Sequence, residues 1–454
     1  MKFYRLSILL FTYFIIFFGQ YGTGQSIQKQ SVQLEKSVDQ LIRPLIDSSR
    51  IAGVAVGIMR NDSILLLKPY GYADLEFYVP LPVNASFEIG SITKQFTAVA
   101  IMQLADKGLI GLDDPITKYL RFDAEKAITI RQLLYHTSGI KNAMEVPGYR
   151  NILPYNFDRD TVLRMIEKQN FYFEPGSEMI YSNTGYFILG LVIEKVTGKR
   201  YEEYLAENIF SKAGMTSTYL SDQQTIVKFR AHGYNNFGKL TRAEQPYFRW
   251  TYSAGALSST VKDLLRWNMA LHTTEKILRK SVYQKLISTG TLSNGSQLRY
   301  AMGLGTFKYR GNRVIGHGGD GSGISCDSRY FPEQNITIIT LQNTYRAVST
   351  SLLSEKIADI LLPAVNPIKE KFQGELSSFK GTYKNNLAEV TVDVVNSELL
   401  IKKPGQRNYD TLTYAGNQNW SLGSDRFSFV LENGRPKELH WDLVFAYLRL
   451  KRSN

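Results

Sequence analysis

The feature that most constrains this fold is a helix start near residue 90, because apolar residues surround nearly the whole of the helix that follows. Gly90 ends a strand-like run, Ser91 stands where an N-cap residue would begin the helix, and Lys94 lies one turn later on the same face. The apolar and small residues of the helix are Phe96, Ala98, Val99, Ala100, Ile101, Met102, Leu104 and Ala105. A helix of this kind is buried rather than amphipathic. The sequence therefore predicts a serine and a lysine at the amino end of a buried helix.

A lysine in this position needs a chemical explanation, because burying an unpaired ammonium is costly. Desolvation lowers the pKa of a lysine, and a neutral amine beside a hydroxyl can accept its proton. Ser91 and Lys94 are therefore candidates for a nucleophile and its base. The alternative is that Ser91 is only the N-cap of the helix.

The spacing Ser-x-x-Lys is common in this chain and does not identify a site by itself. It also begins at Ser26, Ser138, Ser259 and Ser377. Ser138 falls in a turn-like His-Thr-Ser-Gly sequence, and Ser259 is expected to open an amphipathic helix. Only Ser91 has its lysine at the head of a helix predicted to be buried.

The first 24 residues have the pattern of a secretory signal. A charged start with Lys2 and Arg5 precedes a mostly apolar run of 13 residues, and Gly22-Thr23-Gly24 offers small residues for cleavage. An uncleaved anchor is the alternative, but the run is short for a membrane span, and no later stretch is long enough for one. We expect a secreted or periplasmic protein of the bacterial envelope, with no integral membrane span after cleavage.

The charge and the cysteine count limit the partners and cofactors. Loss of residues 1–24 would lower the formal net charge from +13 to +11, which favours anionic surroundings such as cell-wall peptidoglycan or lipid headgroups. A diffusely basic surface is the simplest interpretation, and nucleic acid is not expected, because no Lys/Arg cluster falls on one helix. Cys326 is the single cysteine, and the five histidines are scattered. We therefore expect no internal disulfide and no metal site.

The order of apolar patterns predicts a large α+β domain followed by a small β domain. A hairpin near residues 53–67 and later strands near 298–308, 313–317, 323–330 and 336–342 would form one antiparallel sheet from both ends of residues 25–364. Helices are predicted at 27–48, 128–135, 158–168, 183–197, 200–209, 259–271 and 349–362. Residues 365–374 are a predicted linker, and the short alternating strands of 375–454 predict an all-β meander or barrel.

Two further segments could complete a site with Ser91 and Lys94. Tyr181 could share a proton relay, and Asn183, two residues later, could hold Lys94 by a hydrogen bond, although Asn183 could also be a helix N-cap. The second segment, 316–323, is rich in glycine around His317. Glycines there would let backbone N–H groups approach a ligand closely, and a hairpin bend is the alternative.

Together, Ser91-x-x-Lys94, Tyr181-x-Asn183 and His317-x-Gly319 resemble the penicillin-recognising serine hydrolases in order and spacing. The match is to the class C β-lactamase-like branch, which includes D-Ala-D-Ala carboxypeptidases, D-aminopeptidases and esterases. Supporting segments are residues 87–94, 111–115, 133–139 and 181–186. The resemblance spans roughly residues 35–362, and residues 375–454 resemble the lipocalin-like domain that some members carry.

The resemblance implies a β-lactamase/transpeptidase-like fold and a role for each motif residue. Ser91 would be acylated, Lys94 and Tyr181 would handle its proton, and Asn183 would orient Lys94 and the substrate. His317 and Gly319 would contact the substrate. The N–H groups of Ser91 and of Asp320, placed by motif alignment, would form the oxyanion hole. No metal or organic cofactor is implied.

The third motif departs from that of true β-lactamases, which carry Lys-Thr-Gly where this chain has His317-Gly318-Gly319. A permanent ammonium suits a β-lactam carboxylate, whereas a histidine with a pKa of about 6.5 is charged only part of the time. We expect a peptidase or esterase acting on a small peptide, ester or β-lactam, with carboxylate-bearing substrates favoured toward pH 6. A true β-lactamase and a catalytically idle wall-binding scaffold are the alternatives.

Overall fold

The computed structural model describes residues 31–148, 158–222, 225–244, 251–345, 348–363, 372–416 and 418–453. The predicted signal segment, residues 1–24, lies outside these ranges, and so do residues 365–371 of the predicted linker.

Most helices fall in the middle of the large domain, as the sequence predicts. In the described residues they are α1 (31–47), α2 (Thr93–Asp106), α3 (Ile130–Leu134), α4 (Arg159–Glu167), α5 (Asn183–Thr197), α6 (Tyr201–Leu205), α7 (Ser211–Ala213), α8 (Val261–Thr273), α9 (Lys280–Leu286) and α10 (Thr350–Leu361). A π-helical turn, Ala206–Phe210, joins α6 to α7. Each predicted helix is present: α5 has the predicted bounds, the predicted helix 200–209 is α6 together with this π-helical turn, and the other described ends lie within two residues of the prediction.

A seven-stranded antiparallel sheet forms the centre of the large domain. Its strands are β1 (Gly53–Arg60), β2 (Ser63–Asp74), β3 (Val79–Pro80), β10 (Gly305–Tyr309), β11 (Asn312–Gly321), β12 (Ile324–Phe331) and β13 (Ile336–Gln342), in the order β10-β11-β12-β13-β1-β2-β3. β1 pairs with both β2 and β13, so that Val56 lies between Lys68 and Thr340. The prediction of one sheet built from both ends of the domain is confirmed.

The sheet separates two apolar cores, because helices cover both of its faces. On one face, Val38 and Ile42 of α1 pack with Leu353 and Ile357 of α10. On the other face lies the larger core, which contains α2. Helix α2 is buried from Thr93 to Leu104, as its apolar circumference predicts.

Short strands complete the large domain. They are β4 (Phe87–Glu88), β5 (Met179–Ile180), β6 (Tyr219–Leu220), β7 (Tyr234–Asn236), β8 (Leu240–Arg242), β9 (Leu257–Ser259) and β14 (Thr344–Tyr345). Strand β9 pairs with β4 just before Ser91. Ser259 therefore lies in a buried strand and does not open a helix as predicted, because Thr260 caps α8 instead.

The C-terminal residues form a nearly closed, barrel-like sheet. Its strands are β15 (Gly381–Lys384), β16 (Glu389–Val395), β17 (Glu398–Lys402), β18 (Asp410–Thr411), β19 (Thr413–Tyr414), β20 (Asn419–Leu422), β21 (Asp425–Glu432), β22 (Arg435–Asp442) and β23 (Ala446–Arg452). The order is β18-β17-β16-β15-β23-β22-β21-β20-β19, and only Leu412 separates the two outermost strands along the chain. Phe379, Trp420 and Phe429 fill its interior. The predicted small β domain is confirmed as a fold.

Two strands of this sheet, β20 and β22, were not expected from the sequence. From Glu438 to Asp442 strand β22 alternates polar and apolar residues, but all five are buried, so its polar face is not the exposed face of a half-buried strand. Strand β20 has only four residues.

Candidate active site

Ser91 lies in a tight turn between β4 and α2. The turn, Gly90–Ile92, is a single 3-10 turn in which Gly90 has φ +50°, a left-handed conformation that favours glycine. Neither this turn nor α2 has a side-chain cap, and the residue at the N-cap of α2 is Ile92. The interpretation of Ser91 as a plain N-cap is therefore wrong.

Lys94 is completely buried, and its amine has three polar neighbours in the site. Its Nζ donates to Oδ1 of Asn183 at 2.7 Å and to the carbonyl of Ala254 at 2.7 Å, and it lies 3.1 Å from Oγ of Ser91. Burial holds the pKa of Lys94 well below its usual value. A neutral amine has two N–H groups and one lone pair. In the neutral form, which burial favours, the two carbonyl oxygens take the N–H groups and the lone pair is left for the Ser91 hydroxyl.

Asn183 is directed at Lys94 and does not cap its helix. Ser182 is the N-cap of α5, where its side chain accepts the N–H of Gly185. Asn183 follows as the first helical residue, with its side-chain oxygen on Lys94. The predicted pairing of Asn183 with Lys94 is present in the structure.

Tyr181 lies against both Ser91 and Lys94. Its ring centroid is 4.6 Å from Nζ of Lys94, and the Ser91 side chain is a hydrogen-bond partner of its hydroxyl. Burial raises the pKa of Tyr181 above its usual value, more than the bond to Ser91 lowers it. The hydroxyl is thus protonated at neutral pH and can pass on a proton.

His317 lies on β11 with its imidazole buried, 4% exposed. Nδ1 lies 2.5 Å from the carbonyl of Gly318, which can only accept a hydrogen bond, so Nε2 is the acceptor for the Tyr300 hydroxyl at 3.1 Å. Burial, with the neighbouring Lys94, lowers the pKa of His317 to about 3. The expectation that His317 is charged part of the time near neutral pH is wrong, because a pKa of about 6.5 applies to an exposed histidine and His317 is buried.

Gly319 and Asp320 run beside the Ser91 turn. A Cβ atom on Gly319 would lie 2.1 Å from the carbonyl oxygen of Ile89 and 3.0 Å from the nitrogen of Ser91. A Cβ on Gly90 would lie 3.2 Å from the nitrogen of Asp320. The structure therefore brings together the two segments whose N–H groups are the predicted oxyanion donors. Both interpretations of residues 316–323 apply, because β11 stays paired with β12 through Gly321 beside the Ser91 turn and the hairpin bend follows at Ser322 and Gly323.

Sequence reasoning did not identify Asn142, which fixes the second motif. Its Nδ2 donates to the carbonyl of Tyr181 at 3.0 Å, and its Oδ1 accepts the N–H of Asn183 at 2.7 Å. The side-chain amide of Asn142 thus binds the backbone of both Tyr181 and Asn183. No motif marked Asn142, because it lies far from Tyr181 in the sequence.

Two more groups contact the site residues. The carbonyl of Ala254, in the turn Tyr252–Ala254, accepts from Lys94. The imidazole of His136 accepts the N–H of Ser182 at 3.1 Å and packs on the ring of Tyr181, with centroids 4.4 Å apart. His136 belongs to the segment 133–139 that contributed to the family resemblance, whereas no sequence signal marked Ala254.

The described part of the chain contains no group of three or more His, Cys, Asp or Glu side chains arranged to hold a metal ion. Across those same residues, every helix is too short or too polar to cross a bilayer.

Comparison with known proteins identifies proteins that are similar to this chain in sequence and in fold. The sequence model of the Beta-lactamase family matches residues 38–361. Penicillin-binding protein 4* of Bacillus subtilis (strain 168) is 28% identical over 331 residues, which cover 68% of this chain and 71% of that protein. The residues matched by the family model, 38–361, include the segments that carry Ser91, Tyr181 and His317.

Two solved structures extend the comparison. The octameric penicillin-binding protein homologue from Pyrococcus abyssi is 25% identical, with a TM-score of 0.62 over 91% of this chain and 99% of that one. The D-amino acid amidase from Ochrobactrum anthropi SV3 is 22% identical, with a TM-score of 0.64 over 72% of this chain and 99% of that one, a likeness of fold alone.

Proposed function

Because this chain belongs to the beta-lactamase family of serine hydrolases, we propose that it cleaves an amide or ester bond through an acyl-enzyme on Ser91. The observation that carries the proposal is the environment of the buried Lys94, whose Nζ bonds to two carbonyl oxygens and lies 3.1 Å from Oγ of Ser91, where the neutral amine would accept the serine proton. An idle scaffold would not require a buried lysine with these partners.

The proton follows a short path in this proposal. As Oγ of Ser91 attacks the substrate carbonyl, its proton moves to Nζ of Lys94, and the oxyanion forms between the N–H groups of Ser91 and Asp320. When the bond to the leaving group breaks, the proton on Lys94 is passed through the Tyr181 hydroxyl to the leaving nitrogen or oxygen. Water then attacks the acyl carbonyl and gives its proton through Tyr181 to Lys94, and this proton returns to Oγ of Ser91 as the acyl C–O bond breaks and the acid is released.

The charge state of His317 guides the choice of substrate. A neutral imidazole does not supply the cation that would hold a substrate carboxylate. We therefore favour a peptidase or amidase acting on D-amino acid derivatives, or an esterase, over a true β-lactamase. The relationship to a penicillin-binding protein supports the peptidase class.

Labelling followed by intact mass tests the proposal. The full chain is incubated with a fluorophosphonate and, separately, with a fluorescent penicillin, and the Ser91→Ala variant serves as the control. Labelling by both reagents at Ser91 favours a penicillin-binding peptidase, and labelling by the fluorophosphonate alone favours an esterase or amidase. Labelling by neither reagent would overturn the assignment in favour of a scaffold.

The cellular setting is a second part of the proposal. The charged, apolar and small-residue pattern of residues 1–24 supports export, and the basic charge supports contact with cell-wall peptidoglycan. N-terminal sequencing of the protein from an envelope or secreted fraction should give a start near Gln25. An intact Met1 in that fraction would contradict cleavage.

A further inference from the structure

The C-terminal domain supplies an aromatic ring to the candidate active site. Phe445 lies in the turn between β22 and β23, and its ring centroid is 5.6 Å from that of Tyr181 and 5.2 Å from that of His317. A third ring, Tyr300, lies 5.9 Å away. Phe445 is 39% exposed, so part of the ring is accessible from outside while the rest packs on the site.

The turn that carries Phe445 is fixed to the large domain by its backbone. The carbonyl of Phe445 accepts the N–H of Tyr181 at 3.1 Å. Strand β23 continues directly from this contact, with Ala446 paired to Ile180 and Tyr447 paired to Met179. The ring is therefore held in register with the residues that precede Tyr181.

A buried ion pair anchors the other side of the turn. Nε of Arg299 donates to Oδ2 of Asp442 at 2.7 Å, and Nη2 donates to the carbonyl of Asp442 at 2.6 Å. Nη1 donates to the carbonyl of Ser424 at 2.7 Å, and the Arg299 side chain is 9% exposed. Arg299 directly precedes Tyr300, so the same segment contributes a ring to the site and anchors the turn.

The rings around His317 form a wall without a fixed charge. Tyr181 and Tyr300 are uncharged at neutral pH, because burial raises the pKa of each, and His317 is neutral. A substrate group that rests on this wall gains from apolar contact and ring stacking. A carboxylate at the same position would lose water without gaining a cation.

We propose that Phe445 is a specificity-determining residue, which selects substrates with an aromatic or branched aliphatic group beside His317 and disfavours those with a carboxylate there. This inference rests on the proposed acyl-enzyme function and adds a substrate class to it. It also assigns the C-terminal domain a direct part in the selectivity of the site.

The test compares matched substrates on the full chain. Selectivity is measured as two ratios of kcat/KM. The first compares D-alanine benzyl ester with D-alanine methyl ester, and the second compares D-phenylalanine amide with D-alanine amide. Phe445→Ala should lower at least one ratio by about tenfold, while Ser91 is still labelled by the fluorophosphonate. Tyr409→Ala, an aromatic of the same domain that is 37% exposed, is the matched control and should leave both ratios unchanged.

A second variant covers the case in which Phe445→Ala fails to fold. Phe445→Lys places an ammonium on the wall and should raise acylation by a penicillin relative to the methyl ester. Ratios that are unchanged in both variants, with Ser91 still labelled, would overturn the role of Phe445 and leave the proposed function intact. A wild-type chain that is not labelled at all would instead overturn the proposed function itself.

Discussion

Lys94 and Asn183 are joined by a 2.7 Å hydrogen bond from Nζ to Oδ1, inside a site where the lysine is completely buried. The amide accepts this bond without adding a negative charge, so it favours the ammonium form of Lys94 less than a carboxylate at the same position would. The choice of asparagine thus fits the low pKa of Lys94.

Replacing the Asn183 amide with a carboxylate should shift the pH profile of kcat/KM to higher pH. Asn183→Asp puts a negative charge beside Nζ of Lys94, which favours the ammonium and raises the pKa of Lys94. The acid limb of kcat/KM should shift upward by about one pH unit or more, with activity at pH 7 reduced and partly regained in alkali. Asn183→Ala is the control, which should lower the rate without the upward shift. Coincident profiles for Asn183→Asp and the wild type would show that Lys94 is not the base.

Loss of the nucleophile should remove turnover without unfolding the protein. Ser91→Ala should lower kcat by about a thousandfold or more, because the covalent route is lost. The control is Ser259→Ala at another Ser-x-x-Lys sequence, where Oγ is 2.8 Å from Oγ1 of Thr218. That variant should retain activity and lose about 1 kcal/mol of stability. Hydrolysis assays and thermal unfolding separate the two outcomes, and an active Ser91→Ala enzyme would contradict the nucleophile.

A methyl group at Gly319 should disrupt the site, whereas one at Gly318 should fit. The Gly319 Cβ would lie 2.1 Å from the backbone oxygen of Ile89, too close without a shift of β11 or of the Ser91 turn. The Gly318 Cβ would be 3.4 Å from its nearest neighbour, an ordinary contact. Gly319→Ala should therefore lower kcat/KM by about tenfold or more if the oxyanion donors move, with a smaller change for Gly318→Ala. Equal activities would mean that the strand can shift without consequence.

The ratio of penicillin acylation to ester hydrolysis should be flat between pH 5.5 and 8.5. The pKa of His317 is lowered to about 3, so the imidazole does not gain a proton in this range. Both reactions share Lys94 and Tyr181, and the ratio removes their common pH dependence. His317→Lys should raise the ratio by supplying a cation. A wild-type ratio that increases toward pH 6 would show that His317 is protonated there.

The same histidine should make the fold sensitive to acid. Unfolded His317 binds a proton below about pH 6.5, whereas the folded residue does not until its pKa of about 3. Its contribution to stability is therefore present above pH 6.5 and is lost as the pH falls toward 3, by about 1.4 kcal/mol per pH unit. Urea unfolding at pH 7 and pH 5 should show the loss, and His317→Gln should lose less. A wild type and a variant with the same pH dependence would contradict the neutral state of His317.

The sequence by itself determined the residues that meet at the site and the type of fold around them. Ser91, Lys94, Tyr181, Asn183 and His317 stand in three short motifs, each a local property of the chain that does not identify a site by itself. Their order and spacing resemble those of a known family, and that resemblance placed the five residues in one site. The buried helix α2 and the sheet from both ends of the domain follow from apolar periodicity, which is also local. These features could be predicted because each depends on near neighbours in the sequence.

The tertiary structure alone decided the charges and the walls of the site. The neutral state of His317 depends on its burial beside Lys94, and the pairing of Tyr181 with Asn183 depends on Asn142. Phe445 reaches the site because Arg299 and β5 hold a turn from the C-terminal domain against it. A pKa and an aromatic contact are set by groups that are close in space but distant along the chain, so no local pattern encodes them.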